Sequence, residues 1–366
     1  MNPSVVTAQC TQSLASRQTG RLSSPPMTLR IGVVGCGAVT ERYHLPALLA
    51  SPDVQLAAFV DPTLERARAL AARAGAPLAL ASHEELPGRV DAAIVAVPNA
   101  FHESVAVPLL QAGVHVLVEK PMARTVAECD RMLAAAVGTV LAVGHDFRHF
   151  PVARFARELF AAELLGPVRR VDASQSAGGR WPSVSTAALS PTAGGGVLLD
   201  FGIHLFDLLQ WWLGPLQARE YRDDAEGGIE SECECRLALE GGTPVNVTLS
   251  RNRTLRDTVV VECERGSVEL GVFEPAVVRL TLAGGTRELA GLVPDPEFER
   301  APLRAVFARQ LADFVSAIGI GGTPLVRGEE GRRAVALAEA CYRLKQPLRM
   351  PWDYPGAYAA IGRNNP

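Results

Sequence analysis

Lysine is almost missing from this chain: it has two, Lys120 and Lys345, against 34 arginines. The scarcity isolates Lys120, which sits in the run VLVEKPMA. Arginine cannot release its proton at any pH a protein survives, whereas a desolvated lysine shifts its pKa readily and can hold or hand over a proton. Long apolar runs are missing too, and none reaches the roughly 18 residues needed to span a bilayer. The net charge is −3 with no basic cluster, so there is no electrostatic footprint for nucleic acid or an anionic membrane. The seven cysteines (Cys10, Cys36, Cys129, Cys233, Cys235, Cys263 and Cys341) contain no CxxC pair. No His–Cys cluster has zinc spacing, so no metal site is expected. Cys233 and Cys235 share one strand face with Leu237 and Leu239, as small buried hydrophobes do. Together these absences predict a cytoplasmic protein of a reducing compartment, with neither nucleic acid nor membrane as a partner.

What is present divides the chain. The first 26 residues are rich in Ser, Thr and Gln and end in Pro25-Pro26, with neither an apolar signal core nor a twin arginine. They predict a disordered tail over 1–27, with Met27 as an alternative start. From Leu29 to about Phe147, strands that are apolar throughout (RIGVVG, VQLAAFVD, AAIVAVP, HVLVE, VLAVGHD) alternate with amphipathic helices. That pattern specifies a Rossmann-type, doubly wound parallel α/β sheet over 28–150. After Pro151 the period changes. Helices near PVARFARELFAAELLG and GVLLDFGIHLFDLLQWWLG bracket a strand and a Gly/Ser/Pro-rich loop, and a series of strands follows. In ESECECRLAL, Glu230, Glu232, Glu234 and Arg236 alternate with Ser231, Cys233, Cys235 and Leu237, so the first set is expected to face outward. The expectation for 151–346 is an α+β domain with a large, mostly antiparallel open sheet, closed by two helices and followed by a tail over 347–366.

A strand running into Gly35-Cys36-Gly37-Ala38-Val39-Thr40 and then a helix is a place for a pyrophosphate. Gly35 permits the tight turn, Gly37 allows close backbone approach, and the amides of Ala38, Val39 and Thr40 open the helix. Thr40 stands where the fingerprint has Gly or Ala, which would loosen the strand–helix approach. Asp61 ends the next strand, 24 residues after Gly37. That is close to the roughly 20-residue offset of an acid that binds an adenosine ribose. It favours NAD, with NADP possible; the alternative is that Asp61 caps the following helix. Lys120 lies at the carboxyl end of a buried strand, where open α/β sheets bind ligands, and Pro121 stops the strand. Asp200 and His204 are four apart in a segment that reads as helical, with Asp207 a further turn along. On one helix face Asp200 could hold the His204 imidazole in one tautomer, ready to take a hydroxyl proton, with Asp207 supporting the pair from behind.

Gly35–Thr40, His44-Leu45-Pro46-Ala47, Glu119-Lys120-Pro121 and GGGVLLDFGIHLFDLLQWWLG resemble the glucose–fructose oxidoreductase / inositol dehydrogenase / MocA (Gfo/Idh/MocA) family over about residues 29 to 345. The resemblance implies a nicotinamide-dependent dehydrogenase or reductase. In it Lys120 bridges the reacting hydroxyl and the nicotinamide region. His204 acts as base in oxidation or acid in reduction, oriented by Asp200. It further implies that Asp61 binds ribose, that Pro98 and Asn99 line the cofactor with His102 nearby, and that Glu119 belongs to the same cofactor set. Arg148, in GHDFRHFP, would face substrate or cofactor, and the large sheet would form a homodimer or homotetramer interface. Arg180, Trp181, Ser183 and Ser185, in the loop before the DxxxH segment, suit a polyhydroxylated ligand such as a sugar, an inositol or a related cyclic polyol. Alternatives within the class are a biosynthetic keto-sugar reductase and a trans-dihydrodiol dehydrogenase. Outside it stand a cofactor-sensing regulator without turnover, which would have no use for an intact Lys120, Asp200 and His204, and a purely structural or partner-binding protein, which would leave Lys120 without a role.

Overall fold

The computed structural model describes residues 28–176, 195–226, 228–272, 277–290, 298 and 300–349. Six strands, β1 (Leu29–Val34), β2 (Val54–Val60), β3 (Leu78–Leu80), β4 (Ala92–Val95), β5 (His115–Glu119) and β6 (Leu141–Gly144), pair in parallel in the order β3-β2-β1-β4-β5-β6. The central strands are buried on both faces, which is why they read as continuous apolar runs. β3 escaped the sequence reading because it is a three-residue, half-buried edge strand. Helices α1 (Leu45–Ala50), α2 (Leu64–Ala74), α3 (His102–Gln111) and α4 (Val126–Ala135) connect these strands. α2 buries one stripe, Ala67, Leu70 and Ala71, and ends at Gly75 with φ 67°. α4 starts on a capping box between Thr125 and Glu128.

The second sheet has nine strands: β7 (Val168–Ser176), β8 (Leu216–Asp223), β9 (Glu232–Leu239), β10 (Pro244–Ser250), β11 (Thr258–Cys263), β12 (Gly266–Gly271), β13 (Val277–Leu282), β14 (Gly285–Ala290) and β15 (Lys345–Pro347). Their order is β14-β13-β12-β11-β7-β10-β9-β8-β15, antiparallel except at β7/β10 and β8/β15. α5 (Pro151–Ala161) and α6 (Ile203–Leu213) pack beside it, with a π-helical turn over Leu198–Gly202 leading into α6. The predicted alternation fails where β9 begins. Glu230 and Glu232 are buried, because each carboxylate has partners inside. Glu230 accepts from the Leu198 amide and the Tyr342 hydroxyl, and Glu232 from Ser250 and Arg253.

Two helices late in the chain return to the first sheet. Phe307, Leu311 and Phe314 of α7 (Pro302–Gly319) join the core of Ile31, Leu45 and Phe59. α8 (Gly328–Arg343) packs against α4, α6 and β6, so closely that a Cβ on Gly331 would lie 2.8 Å from Val143 of β6. These contacts bring the turn before α6 against the carboxyl end of β5, where the site forms.

Candidate active site

The glycine turn is built by close approach. Gly35 has φ 99°, and a Cβ there would sit 2.3 Å from the Ala96 carbonyl oxygen at the end of β4, so only glycine fits. Around Gly37 the opposite holds: a Cβ would meet nothing within 4 Å, leaving the backbone open to a ligand. Thr40 does not loosen the strand–helix junction as expected. It is fully buried, and its hydroxyl donates to the Gly35 carbonyl at 2.6 Å. Asp61, buried at the end of β2, accepts from the Cys36 amide at 3.0 Å and the Thr63 amide at 2.8 Å. It therefore braces the glycine turn and also helps open α2. An open cradle with a carboxylate at the neighbouring strand end fits a dinucleotide. Pro98 precedes a short turn, Asn99–Phe101, directly after β4.

Two residues expected at the cofactor have side chains that tie the strand ends together. His102 is buried between the Val97 and Pro121 carbonyls, at 2.9 and 2.8 Å, and joins the end of β4 to the turn after β5. Burial lowers its pKa against the pull of those carbonyls. Glu119 is buried with Oε1 2.8 Å from His44 Nε2, and its Oε2 accepts from the Lys120 amide. Burial pushes its carboxyl up, but His44 and then Lys120 outweigh that and leave it below the ordinary range.

Lys120 directly follows β5 and is joined to Pro121 by a cis peptide bond, and its side chain stays 20% exposed. Its Nζ donates to the Asp200 carbonyl at 2.9 Å and to Asp200 Oδ1 at 3.1 Å. Asp200 Oδ2 accepts from Arg251 Nη2 at 3.0 Å. Desolvation raises the Asp200 pKa, but the two cations and their hydrogen bonds leave it lowered, so the carboxylate is ionised.

Asp200 therefore does not hold His204, and the predicted pairing is corrected. The backbone around Asp200 is a π turn, so the one-turn spacing assumed for an α-helix does not apply, and both carboxylate oxygens face cations. The carboxylate near His204 is Asp146, with Oδ1 3.4 Å from Nδ1. His204 stacks on Phe147, centroids 4.2 Å apart. Burial, the nearby Lys120 charge and His145 hold its pKa well below the usual imidazole value, so it is neutral at neutral pH.

Arg148 is a second correction. Its side chain is turned into the protein, 2% exposed, and makes a bidentate pair with Asp207 at 2.7 and 2.6 Å. Asp207 consequently supports Arg148, not the Asp200–His204 pair. Sequence reasoning missed Arg251 and Asp146. Arg251 follows β10 and meets Asp200 across 51 residues, with no local signal, whereas Asp146 lay in the quoted GHDFRHFP run without a role. Arg180, Trp181, Ser183 and Ser185 lie outside the described residues. Among the described residues no His/Cys/Asp/Glu group could hold a metal, and no helix is long and apolar enough to cross a membrane.

Comparison with known proteins agrees with this geometry. Residues 29–146 match an oxidoreductase family described as having an NAD-binding Rossmann fold, and residues 153–269 match the GFO/IDH/MocA C-terminal domain. The chain is 36% identical to the dTDP-3,4-didehydro-2,6-dideoxy-alpha-D-glucose 3-reductase of Streptomyces violaceoruber, over 60% of this chain and 66% of that protein. It is 28% identical to inositol 2-dehydrogenase 1 of Saccharopolyspora erythraea, over 87% of this chain and 95% of that one. A crystal structure of a 3-ketoreductase from Actinomadura kijaniata, in complex with NADP and TDP-benzene, shares the fold with TM-score 0.77 and 23% identity, covering 89% of this chain and all of that one. With both domains matched in order, the chain belongs to the Gfo/Idh/MocA family of dehydrogenases and reductases that work through an NAD-binding Rossmann domain.

Proposed function

We propose that the protein moves a hydride between a nicotinamide and a ring carbon of a sugar, inositol or related cyclic polyol, with Lys120 and His204 handling the hydroxyl proton. The observation that carries this reading is the Lys120 ammonium, fixed by Asp200 at the mouth of the parallel sheet. When bound, the nicotinamide supplies or accepts the hydride. Asp200 engages Lys120 Nζ twice, which leaves a third N–H for a substrate oxygen. Arg251, on the far side of Asp200, keeps that carboxylate ionised and so keeps Lys120 in place. His204, held neutral by burial, keeps a lone pair for the hydroxyl proton in alcohol oxidation. Carbonyl reduction runs the same path backwards, so the group that takes the proton in one direction returns it in the other. Asp61 supports NAD as the preferred cofactor, since a carboxylate repels a 2′-phosphate. The large mixed sheet is the expected surface for a homodimer or homotetramer.

A second reading is reduction of a keto-sugar, and the 36% identity to a 3-reductase of a dTDP-linked sugar favours it. A regulator without turnover is opposed by Lys120, Asp200 and His204 all being present. The test is nicotinamide absorbance in both directions, with NAD and NADP, against myo-inositol, free hexoses and a dTDP-linked keto-sugar. Oxidation of the polyols supports the first reading and reduction of only the keto-sugar the second. Binding of cofactor with no turnover on any of them would oppose both.

A further inference from the structure

We propose that Asp146 is a positioning residue for His204: its carboxyl and the His204 Nδ1 form a buried pair that decides which ring nitrogen is free to take the substrate's proton. The inference deepens the reading above and rests on it for the role of His204.

The geometry is specific. His204 Nδ1 and Asp146 Oδ1 are both buried, both lack a hydrogen-bond partner, and lie 3.4 Å apart. Each side chain is 9% exposed. An unpaired buried polar atom is costly, and of the unpaired atoms around the ring, which include both His145 nitrogens, Asp146 Oδ1 is the carboxylate oxygen at ion-pair distance from Nδ1. The other carboxylate in reach by sequence, Asp200, is taken by Lys120 and Arg251. Stacking on Phe147, with ring planes 16° apart, fixes the imidazole plane. Phe147 follows Asp146 directly in the turn Asp146–His149, so one short turn supplies both the stack and the carboxyl.

The charged surroundings put Asp146 in a position to switch. Burial pushes its carboxyl up to about 7; Glu119 at the end of β5 adds to that and Lys120 opposes it. His145 and Arg148 flank it on its own turn, His204 and Asp207 face that turn from α6, and Arg154 and Arg309 reach His149 from α5 and α7. With Asp146 ionised, it accepts from Nδ1–H, and the Nε2 lone pair is open. With Asp146 protonated, its O–H donates to Nδ1 and the ring proton moves to Nε2, which can then accept nothing. His204 stays neutral in both states, and the two differ by the one proton lost from the pair.

The test is nitrogen NMR of the 15N-histidine-labelled full chain saturated with NAD, between about pH 5.5 and 8.5. Disappearance of its signals in His204→Gln assigns the residue. The expected result is a neutral His204 throughout, with its protonated nitrogen changing from Nε2 to Nδ1 around pH 7, and no such change in Asp146→Asn. One tautomer across the range, or an unchanged switch in Asp146→Asn, overturns the proposal. If Asp146→Asn does not fold, the wild-type titration alone still decides. With an oxidisable polyol, Asp146→Asn should lose ~10-fold in kcat and the acid limb of the pH profile, with KM little changed. Unaltered kcat in His204→Gln would instead remove the base role itself, which separates failure of the functional reading from failure of this one.

Discussion

Asp207→Asn should destabilise the protein severely while leaving the dinucleotide site in place. Arg148 and Asp207 are 2% and 1% exposed, and the guanidinium meets the carboxylate in two parallel hydrogen bonds of 2.7 and 2.6 Å. The substitution keeps the volume but removes the charge, leaving a buried guanidinium that cannot deprotonate. Breaking one side of a buried pair costs about 3–5 kcal/mol. Glu330, 3.3 Å away, and the Leu325 carbonyl, also at 3.3 Å, keep partial compensation. The expected loss is therefore at the lower end, about 3 kcal/mol. With an m-value of about 3 kcal/mol/M, the urea midpoint should fall by about 1 M. Replacing both residues together, Arg148→Met with Asp207→Leu, should recover most of the loss, because no charge is then stranded. Equilibrium urea unfolding followed by circular dichroism reads both variants beside wild type. A single variant within ~1 kcal/mol of wild type, or a double variant worse than the single, would refute the reasoning.

The two glycines of the cofactor turn should separate fold from binding. Gly35→Ala meets the Ala96 carbonyl at a positive φ and should cost about 3 kcal/mol or more, whereas Gly37→Ala should stay within ~1 kcal/mol yet weaken NAD at least ~10-fold. Calorimetric melting and NAD titration check both, and tight NAD binding by Gly37→Ala would show that no cofactor backbone lies there. Asp61→Ala should lose the preference for NAD over NADP, read as the ratio of the two dissociation constants; an unchanged ratio removes the ribose assignment. The raised Asp146 carboxyl, from 3.8 to about 7, means that the folded state binds the extra proton between those values, so its contribution falls as pH rises through that window. The ceiling is on the order of 4 kcal/mol. His204 and His149, held neutral by burial, tilt stability the other way as pH falls below the usual imidazole value. The measure is therefore wild type minus Asp146→Asn in urea titrations at successive pH values, and a difference flat across the window would contradict the burial argument.

Strands buried on both faces announce themselves, so the parallel sheet was legible from runs such as AAIV, and Gly35 from the turn chemistry it serves. Lys120 stood out through scarcity alone. Pairings set by tertiary contact were not legible. Asp200 looked like a partner for His204 because four-residue spacing assumes α-helix, while the structure inserts a π turn and brings in Arg251 from the end of a distant strand. Glu232 broke the strand alternation because Arg253 and Ser250, on the neighbouring chain segment, satisfy its charge inside the sheet. Arg148 followed the same logic: a conspicuous cation in a polar motif turned out to be a buried strut, its partner Asp207 being 59 residues away. In each case local period gave the element, and the identity of a buried charge's partner depended on contacts that no local pattern encodes.

The central claim is that Lys120 handles the proton of the reacting hydroxyl, not merely a local positive charge. The most direct measurement is kcat of Lys120→Arg beside wild type, on a substrate found by the absorbance screen, with NAD affinity measured in parallel. The account predicts a kcat loss of ~10²–10⁴-fold with NAD affinity nearly unchanged, because arginine keeps the charge beside Asp200 but cannot give up a proton. Turnover within a few-fold of wild type would contradict it and reduce Lys120 to a charge that organises the cleft.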